Sequence, residues 1–465
     1  MSTHHWIDVA VQTPAHSQIG GLLSYRCPFD VQPGQLVRVP LGQREVLGVV
    51  WAVSETAPAD MPASAVRDAT GLLEGLPPLD ERWRQLVQFS AQYYQRSLGE
   101  VALSALPPQL RDLSSEQLAR RLKKQAQAAT VQVQPGHAMS DEQIAVLAQM
   151  QSQAGPFLLF GSTGSGKTEV YLQAVERMLQ ADPRAQALLM VPEINLTPQL
   201  EERVQARFGE QAVVAMHSGM TPAQRLKGWL AAHAGHARIV LGTRMAIFAS
   251  MPHLKLIVVD EEHDTSYKQE DGFIYQARDL AVARGKIEGA SVVLASATPS
   301  LETLRNAEAG RYRWLRLSTR HGTARLPDIS LVDLRETALE TGRWLSPPLV
   351  EAMAETYAAG EQTLLFLNRR GYAPLVLCKA CGEKLTAPDT ESWLVEHRYT
   401  GRLVCHLTGF SMPKPERCPH CGATESLVSI GPGVERVEEE ARSLFPDARI
   451  AVFSSDTLWD AREAR

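Results

Sequence analysis

FLLFGSTGSGKTEVYLQAVERMLQ, residues 157–180, decides the fold class of this chain. FLLF is an apolar run of buried-strand type, GSTGSGKT is glycine-rich, and EVYLQAVERMLQ carries apolar residues at helical spacing. The middle piece matches G-x-x-x-x-G-K-[ST], a phosphate cradle set between a strand and a helix. Gly161, Gly164 and Gly166 let the backbone turn its N–H groups onto phosphate oxygens, and the helix N-terminus adds its positive dipole end. Lys167 is expected to reach the β and γ phosphates of ATP, and Thr168 to offer its hydroxyl to Mg2+. Ser162, Thr163 and Ser165 complete the cradle.

Outward from this stretch, strands alternate with amphipathic helices over residues 140–322. ALLMVP, ARIVLGT, LKLIVVDEE and SVVLASAT are short buried-strand runs. The pattern predicts an α/β lobe, a parallel sheet covered by helices on both faces. Asp260 and Glu261 follow the strand LKLIVV, so both carboxylates should emerge at the carboxyl edge of the sheet, where open α/β folds bind ligands. Asp260 is expected to hold the magnesium water shell, and Glu261 to orient and polarise the attacking water. Lys167, Thr168, Asp260 and Glu261 are thus the expected catalytic set.

Before the lobe, residues 1–105 read as a small β-rich domain. QLVRVPL and VLGVVWAV are β-branched runs joined through GQRE as a hairpin, and ERWRQLVQFSAQYYQ follows as a helix. Residues 106–139 are polar and basic, and they read as a linker with a helical turn or two. Arg120, Arg121, Lys123 and Lys124 there read as a solvated helix face. After the lobe, a second α/β segment begins over 323–375, with ISLVDL and TLLFLN as its expected strands. A cysteine-bearing insert over 376–430 interrupts it, and the segment resumes over 431–465.

Hydrophobic residues make up 44% of the chain and charged residues 21%, the balance of a soluble globular protein, and no apolar run is long enough to cross a bilayer. The start MSTHHWIDVAVQTP lacks a secretory pattern, so a cytoplasmic protein without a membrane partner is expected. The net charge of −5 does not point to a nucleic acid, so any polyanion must meet local basic surface. Cys378-x-x-Cys381 and Cys418-x-x-Cys421 have the spacing of a structural four-thiolate Zn2+ site. The excursion between the pairs is long, but loop closure costs grow slowly with length and zinc binding can offset them.

The loop after the carboxylates interleaves Tyr267, Lys268, Phe273, Tyr275 and Arg278. Aromatic and basic residues so mixed suit single-stranded DNA, by base stacking with backbone neutralisation. Glu270 and Asp271 in its middle would repel phosphate.

GSTGSGKTEVY, VPEINLTPQL, HSGM, GTRMAIFAS, DEEHDTSYKQED, YQARD, VVLASATPSLET and NRRGYAP, in that order, resemble the replication-restart DNA helicases of bacteria, the primosomal protein N′ family within the DEAD/DEAH-like helicases. The resemblance runs from about residue 140 to 435 and more weakly over the first hundred residues. It implies a RecA-like, P-loop helicase lobe, a second lobe holding the zinc insert, and an ATP-dependent 3′ to 5′ DNA helicase. Such a helicase remodels stalled forks and starts primosome assembly. It further implies that Gln143 contacts adenine, that Glu193, Thr197 and Gln199 and then Thr243 and Arg244 line the single-strand path, and that Ser296, Ala297 and Thr298 couple hydrolysis to lobe movement. Forked and single-stranded DNA, single-strand-binding protein and other primosome proteins are the partners it implies.

Three departures from the family shape the expectations. The family's 3′-end patch on the first domain is replaced by IGGLL at 19–23, and residues 107–139 are too few for its winged helix. Up to Arg465 no segment resembles its second-lobe arginine motif, which leaves open an incomplete chain that binds ATP and forked DNA without turnover, or another DEAD/DEAH-like translocase. In the insert, Ala387, Thr390 and Thr408 stand where the family's inner cysteines would be and only Cys405 remains, so one zinc is expected rather than two. His397, His406 and Cys405 could at most make a weaker substitute.

Overall fold

The computed structural model describes residues 5–13, 21–57, 62, 66–125, 134, 136–192, 198–320, 327–337, 339, 343–367, 375–397, 401–431 and 433–453. The chain divides after Leu326 into two units.

The first unit opens with an antiparallel sheet of β1 (His5–Val11), β2 (Leu23–Cys27), β3 (Leu36–Leu41), β4 (Arg44–Ser54) and β5 (Gly71–Leu72), in the order β2-β1-β4-β3-β5. The hairpin expected through GQRE is present, with Leu41 paired to Arg44. Side chains alternate between faces along these strands, so the sheet serves two cores. Ile7, Val9, Val37, Val39 and Val50 form one. Ala10, Leu36, Leu47 and Val49 face helices α1 (Glu81–Tyr93) and α2 (Leu98–Ser104), in a core continuous with the next layer. Trp83 of α1 crosses into that layer and donates its indole N–H to Phe248 O at 2.8 Å.

The segment expected as a linker continues this packing. A 3-10 turn (Pro108–Arg111) and helix α3 (Ser115–Gln125) bury Leu110 and Leu118 in the same core, so the helix runs longer than the turn or two expected. Arg120, Arg121 and Lys123 are exposed, as a solvated face should be.

The lobe follows with α4 (Asp141–Ser152), β6 (Phe157–Gly161), α5 (Lys167–Ala181), β7 (Gln186–Met190), α6 (Pro198–Phe208), β8 (Val213–Met216), α7 (Pro222–His233), β9 (Ile239–Gly242) and β10 (Leu254–Val259). A short hairpin of β11 (Lys268–Gln269) and β12 (Tyr275–Gln276) leads to α8 (Ala277–Glu288), β13 (Ser291–Ser296), α9 (Leu301–Glu308) and β14 (Arg313–Leu317). Seven of these strands form one sheet in the order β14-β6-β13-β10-β7-β9-β8, and every pairing is parallel. All five apolar runs expected as strands lie in it. Both faces are covered: along β10, Ile257 and Val259 enter the core with α7 and α8, while Leu256 and Val258 enter the core with α4, α5 and α6.

The second unit holds α10 (Pro347–Ala358) and α11 (Val434–Leu444), which pack through Met353 and Val437. The insert lies between them in sequence. It contains an antiparallel pair, β15 (Leu375–Cys378) with β19 (Leu427–Ile430), and a meander of β16 (Val395–His397), β17 (Arg402–Val404) and β18 (Ser411–Pro413). The two runs expected as strands of the second α/β segment are not strands. ISLVDL and the described part of TLLFLN carry no ladder, and Ile329, Leu331, Leu364 and Phe366 are exposed. Leu365 and Leu367 do pack on the α10–α11 core, so a strand-like alternation survives in that run. A period of two becomes a strand only when a neighbouring strand accepts its backbone hydrogen bonds.

Candidate functional site

The carboxyl edge of the seven-stranded sheet gathers the chemistry. β6 ends at Gly161, where an added Cβ would lie 2.5 Å from Ser165 Oγ and 2.9 Å from Leu317 Cβ, so the loop turns against β14 only with glycine. Gly164 and Gly166 both take φ of 82°, and Gly166 is the N-cap of α5. Lys167, almost fully buried, lays its ammonium back on the loop, donating to Gly161 O at 2.8 Å. Ser162, Thr163 and Gly164 face solvent more openly, and Ser165 is buried.

Gln143 clamps this loop. Its Oε1 accepts from Ser140 N–H at 2.9 Å in the capping box of α4, and its Nε2 donates to Ser165 O at 3.0 Å. Both polar ends of the amide are therefore already bound within the protein. Each end keeps one further hydrogen-bonding position, a second N–H and a second lone pair.

Asp260 and Glu261 leave β10 beside the cradle. Tyr171, one turn beyond Lys167 on α5, donates its hydroxyl to Asp260 Oδ2 at 3.0 Å. Burial raises the Tyr171 pKa far above the ordinary phenol value, so it stays protonated as a donor. Burial also lifts the Asp260 carboxyl above its usual range, and Glu261 adds to the rise. Glu261 has φ of 44°, a left-handed conformation for a non-glycine residue. It presents a part-exposed carboxylate, with His263 Nδ1 at 3.7 Å.

His263 ties these acids to the segment expected to couple hydrolysis to movement. Its Nδ1 lies 2.8 Å from Ser296 Oγ, which also accepts from Thr298 N–H at 3.0 Å. Ser296 is fully buried, whereas Thr298 is exposed and Ala297 lies between.

The third acid, Glu262, escaped the sequence reading. It is buried and receives Ser300 N–H at 2.7 Å, Ser300 Oγ at 3.0 Å, Thr303 Oγ1 at 2.8 Å and Arg278 Nη1 at 3.4 Å. It therefore anchors the N-terminus of α9 and the start of α8 at once. Three acidic letters in a row give no sign of which faces inward; only the turn after β10 decides that.

The residues expected to meet single-stranded DNA divide. Tyr267 is fully buried, and its hydroxyl donates to Met190 O and Asp260 O, bolting the ends of β7 and β10 together. Phe273 and Tyr275 pack on each other and on Phe248 within the core. Arg278 is buried against Glu262. These four do not present themselves to an outside strand, because apolar burial and ion pairing hold them inward. Lys268 is exposed. Thr243 is buried, and Arg244 is held by Gln269 Oε1 at 2.7 Å and Ser266 O at 3.2 Å. Gln199 is exposed on α6, while Glu193 and Thr197 lie outside the described residues.

In the second unit the four thiols converge. Cys378, Cys381, Cys418 and Cys421 have all Sγ atoms within 4.8 Å of one another, with 3.7 Å between Cys378 and Cys421 and 3.8 Å between Cys381 and Cys418. A tetrahedron with Zn–S of about 2.3 Å has edges of about 3.8 Å, so the donor set fits Zn2+. Ser426 Oγ lies 3.2 Å from Cys378 Sγ and lowers the pKa of that thiol, while the neighbouring thiols raise that of Cys381, so the four sulfurs share their protons as a cluster.

Each outer knuckle has the same backbone signature. Cys378 N–H donates to Glu383 O at 2.8 Å and Gly382 N–H to Cys378 O at 2.8 Å; Cys418 N–H donates to Ala423 O at 2.9 Å and Gly422 N–H to Cys418 O at 2.9 Å. Cys405 repeats it, donating to Phe410 O at 2.8 Å and accepting from Gly409 N–H at 2.8 Å, and Ala387 N–H donates to Ser392 O at 3.0 Å. Three knuckle turns therefore share both bonds, and a fourth, at Ala387, keeps one of them; the turns at Cys405 and Ala387 lack a cysteine pair. Cys405 is buried, and hydrogen bonds from Thr408, with Thr390 nearby, lower its pKa. His397 and His406 instead meet each other, Nε2 to Nε2 at 3.0 Å. Among the described residues only the four outer thiols form a metal-type cluster.

A family model for the DEAD/DEAH box helicases matches residues 140–307, and one for a 3′ DNA-binding domain matches residues 8–107. The chain is 38% identical over 430 residues to the replication restart protein PriA of Rickettsia felis, covering 91% of this chain and 63% of that relative. To the replication restart protein PriA of Haemophilus influenzae it is 34% identical over 510 residues, covering 94% of this chain and 69% of the relative. It thus spans less than two thirds of the length of the Rickettsia relative. Among solved structures, RecG bound to a three-way DNA junction aligns over 52% of this chain and 30% of its own, at 18% identity and a TM-score of 0.32.

Proposed function

This chain belongs to the replication restart protein PriA family, and from that premise we propose that it is an ATP-driven DNA helicase working 3′ to 5′ at stalled replication forks, where it starts primosome assembly. The observation that carries the reading is the convergence of Lys167, Thr168, Asp260 and Glu261 on one edge of a parallel sheet. Lys167 exchanges the Gly161 carbonyl for phosphate oxygens, which cancels charge along the leaving group. Thr168 and Asp260 hold Mg2+, which supplies Lewis acidity at the phosphates. Tyr171 fixes the Asp260 carboxylate in place. Glu261, at the turn and open to solvent, orients the attacking water.

Gln199, Thr197, Thr243, Arg244 and Lys268 remain the residues proposed for the strand path. His263 and Ser296, with Ala297 and Thr298, relay the state of the carboxylates to lobe movement. The first domain, matched by the 3′ DNA-binding family model although IGGLL stands where the family's 3′-end patch would be, binds the fork DNA, and Cys378, Cys381, Cys418 and Cys421 take one structural Zn2+. Single-strand-binding protein and other primosome proteins are the proposed partners, in the cytoplasm.

The test is ATP turnover with and without forked DNA, with Glu261→Gln as the blank. Turnover stimulated by the fork and lost in the variant supports the reading. Turnover at the level of the blank, with ATP and fork both bound, would overturn it.

A further inference from the structure

Glu142, beside Gln143 on the first turn of α4, has no part in the chemistry described above. Its carboxylate reaches the end of β14, where it accepts Ser318 N–H at 2.7 Å, Thr319 N–H at 3.1 Å and the Thr319 hydroxyl at 2.7 Å. β14 is the last strand of the lobe in chain order, and the first unit ends soon after it, at Leu326. Resting on the helicase reading above, we propose that Glu142 is a positioning residue for ATP use: it latches the exit of β14 to the turn that grips the phosphate loop, and nucleotide binding tightens the latch.

Three observations carry this. The first is adjacency. Gln143 donates to Ser165 O inside the loop, and it sits so close that a Cβ on Gly166 would come within 2.1 Å of its Nε2. Two consecutive side chains of one helical turn therefore hold the phosphate loop and the exit of β14. A shift of that turn moves both.

The second is that the two held segments also touch each other. β14 pairs with β6 as far as Leu317 opposite Gly161, and the Gly161 Cβ position lies 2.9 Å from Leu317 Cβ. The loop therefore begins where the latched residues begin. From Gly161 through Leu317, Ser318, Glu142, Gln143 and Ser165 the contacts close a ring. Such a contiguous set of packed and hydrogen-bonded groups can pass a displacement at the phosphates on to the end of β14.

The third is what holds the latched residues. Ser318 and Thr319 are exposed, so burial does not fix them and the carboxylate does. The donors, Ser318 N–H foremost, pull the Glu142 carboxyl below the usual carboxylate range, so it is ionised when it grips them. Bonds to an ionised acceptor are short and strong, but at an exposed site water competes for the same groups. A latch of this kind opens and closes without unfolding the lobe.

The test follows hydrogen exchange in the full chain with and without Mg2+ and AMPPNP, a non-hydrolysable ATP analogue. The Ser318 and Thr319 amides should exchange about fivefold or more slowly with the analogue bound. Glu142→Ala removes the latch and leaves the Ser140–Gln143 capping box in place. Because coupling between two equilibria is reciprocal, this variant should bind the analogue more weakly by the same factor. Thr319→Val, which removes one of the three donors, should lose less affinity than Glu142→Ala and add nothing to it in the double variant. Thermal unfolding checks that the variants fold. Agreement of the exchange factor with the affinity loss supports the latch. Disagreement between them, including either factor staying at one, would overturn it and leave the helicase reading standing. Failure of the unaltered chain to bind the analogue would overturn both.

Discussion

The carboxyl edge of the parallel sheet and the cysteine insert both collect reactive side chains, but they do so by different means. The edge draws on residues from Gln143 to Thr298, and its parts meet only because β6, β10 and β13 run side by side in one sheet. The insert draws four thiols from two short turns, each closed by its own backbone bonds. One site is a product of the whole core. The other is a local design that needs only a metal to join its halves.

The difference can be broken most visibly at the insert. Cys418→Ser should lower the zinc content from one ion per chain to none by elemental analysis. It should also expose the insert to hydrogen exchange, since zinc binding in small metal-folded units is worth about 10–16 kcal/mol. ATP binding should persist, because the edge has its own core; loss of both together would mean that the two sites are not independent. Glu261→Gln is the converse experiment. It should cut fork-stimulated turnover by about 10²- to 10⁴-fold, the range for a lost general base, with zinc content unchanged.

Tyr267→Phe sharpens the comparison within the edge itself. It removes the hydroxyl shared by Met190 O and Asp260 O, of which Met190 O keeps the Asp260 N–H, so unfolding measurements should show a loss of about 1 kcal/mol. A residue that stacked on DNA from outside would show weakened DNA binding and unchanged stability instead. The smallest effect expected is a pH dependence. The Asp260 carboxyl is raised by burial, so it takes up a proton at higher pH than a free aspartate. Mg2+ needs the ionised form, and its binding should therefore weaken earlier on acidification than an ordinary carboxylate predicts. Asp260→Asn should abolish that step, with Mg2+ binding followed by titration calorimetry across the carboxylate range.

The knuckle turns show how far local sequence reaches. Cys405-x-x-Thr408-Gly409 folds with the same bonds as Cys378-x-x-Cys381-Gly382, although it has lost a thiol. A glycine free to take positive φ and the short spacing suffice for the turn; the thiols decide only whether a metal follows. The apolar runs ISLVDL and TLLFLN show where local sequence stops. Their patterning is that of strands, yet without a neighbouring ladder Ile329, Leu331, Val332 and Leu334 of the first and Leu364 and Phe366 of the second stand in solvent.

By itself, then, the sequence determined what local geometry controls. The cradle between β6 and α5, the strand-borne Asp260 and Glu261, the first-domain hairpin and the paired cysteines all depend on spacing and backbone freedom within a few residues. Only the tertiary structure decided which way the long side chains turn. It placed Tyr267, Phe273, Tyr275 and Arg278 inward, set Gln143 against the loop instead of leaving its amide free, and made Glu262 a buried anchor. Burial and pairing are properties of what lies opposite a residue, and what lies opposite comes from segments far away in the chain.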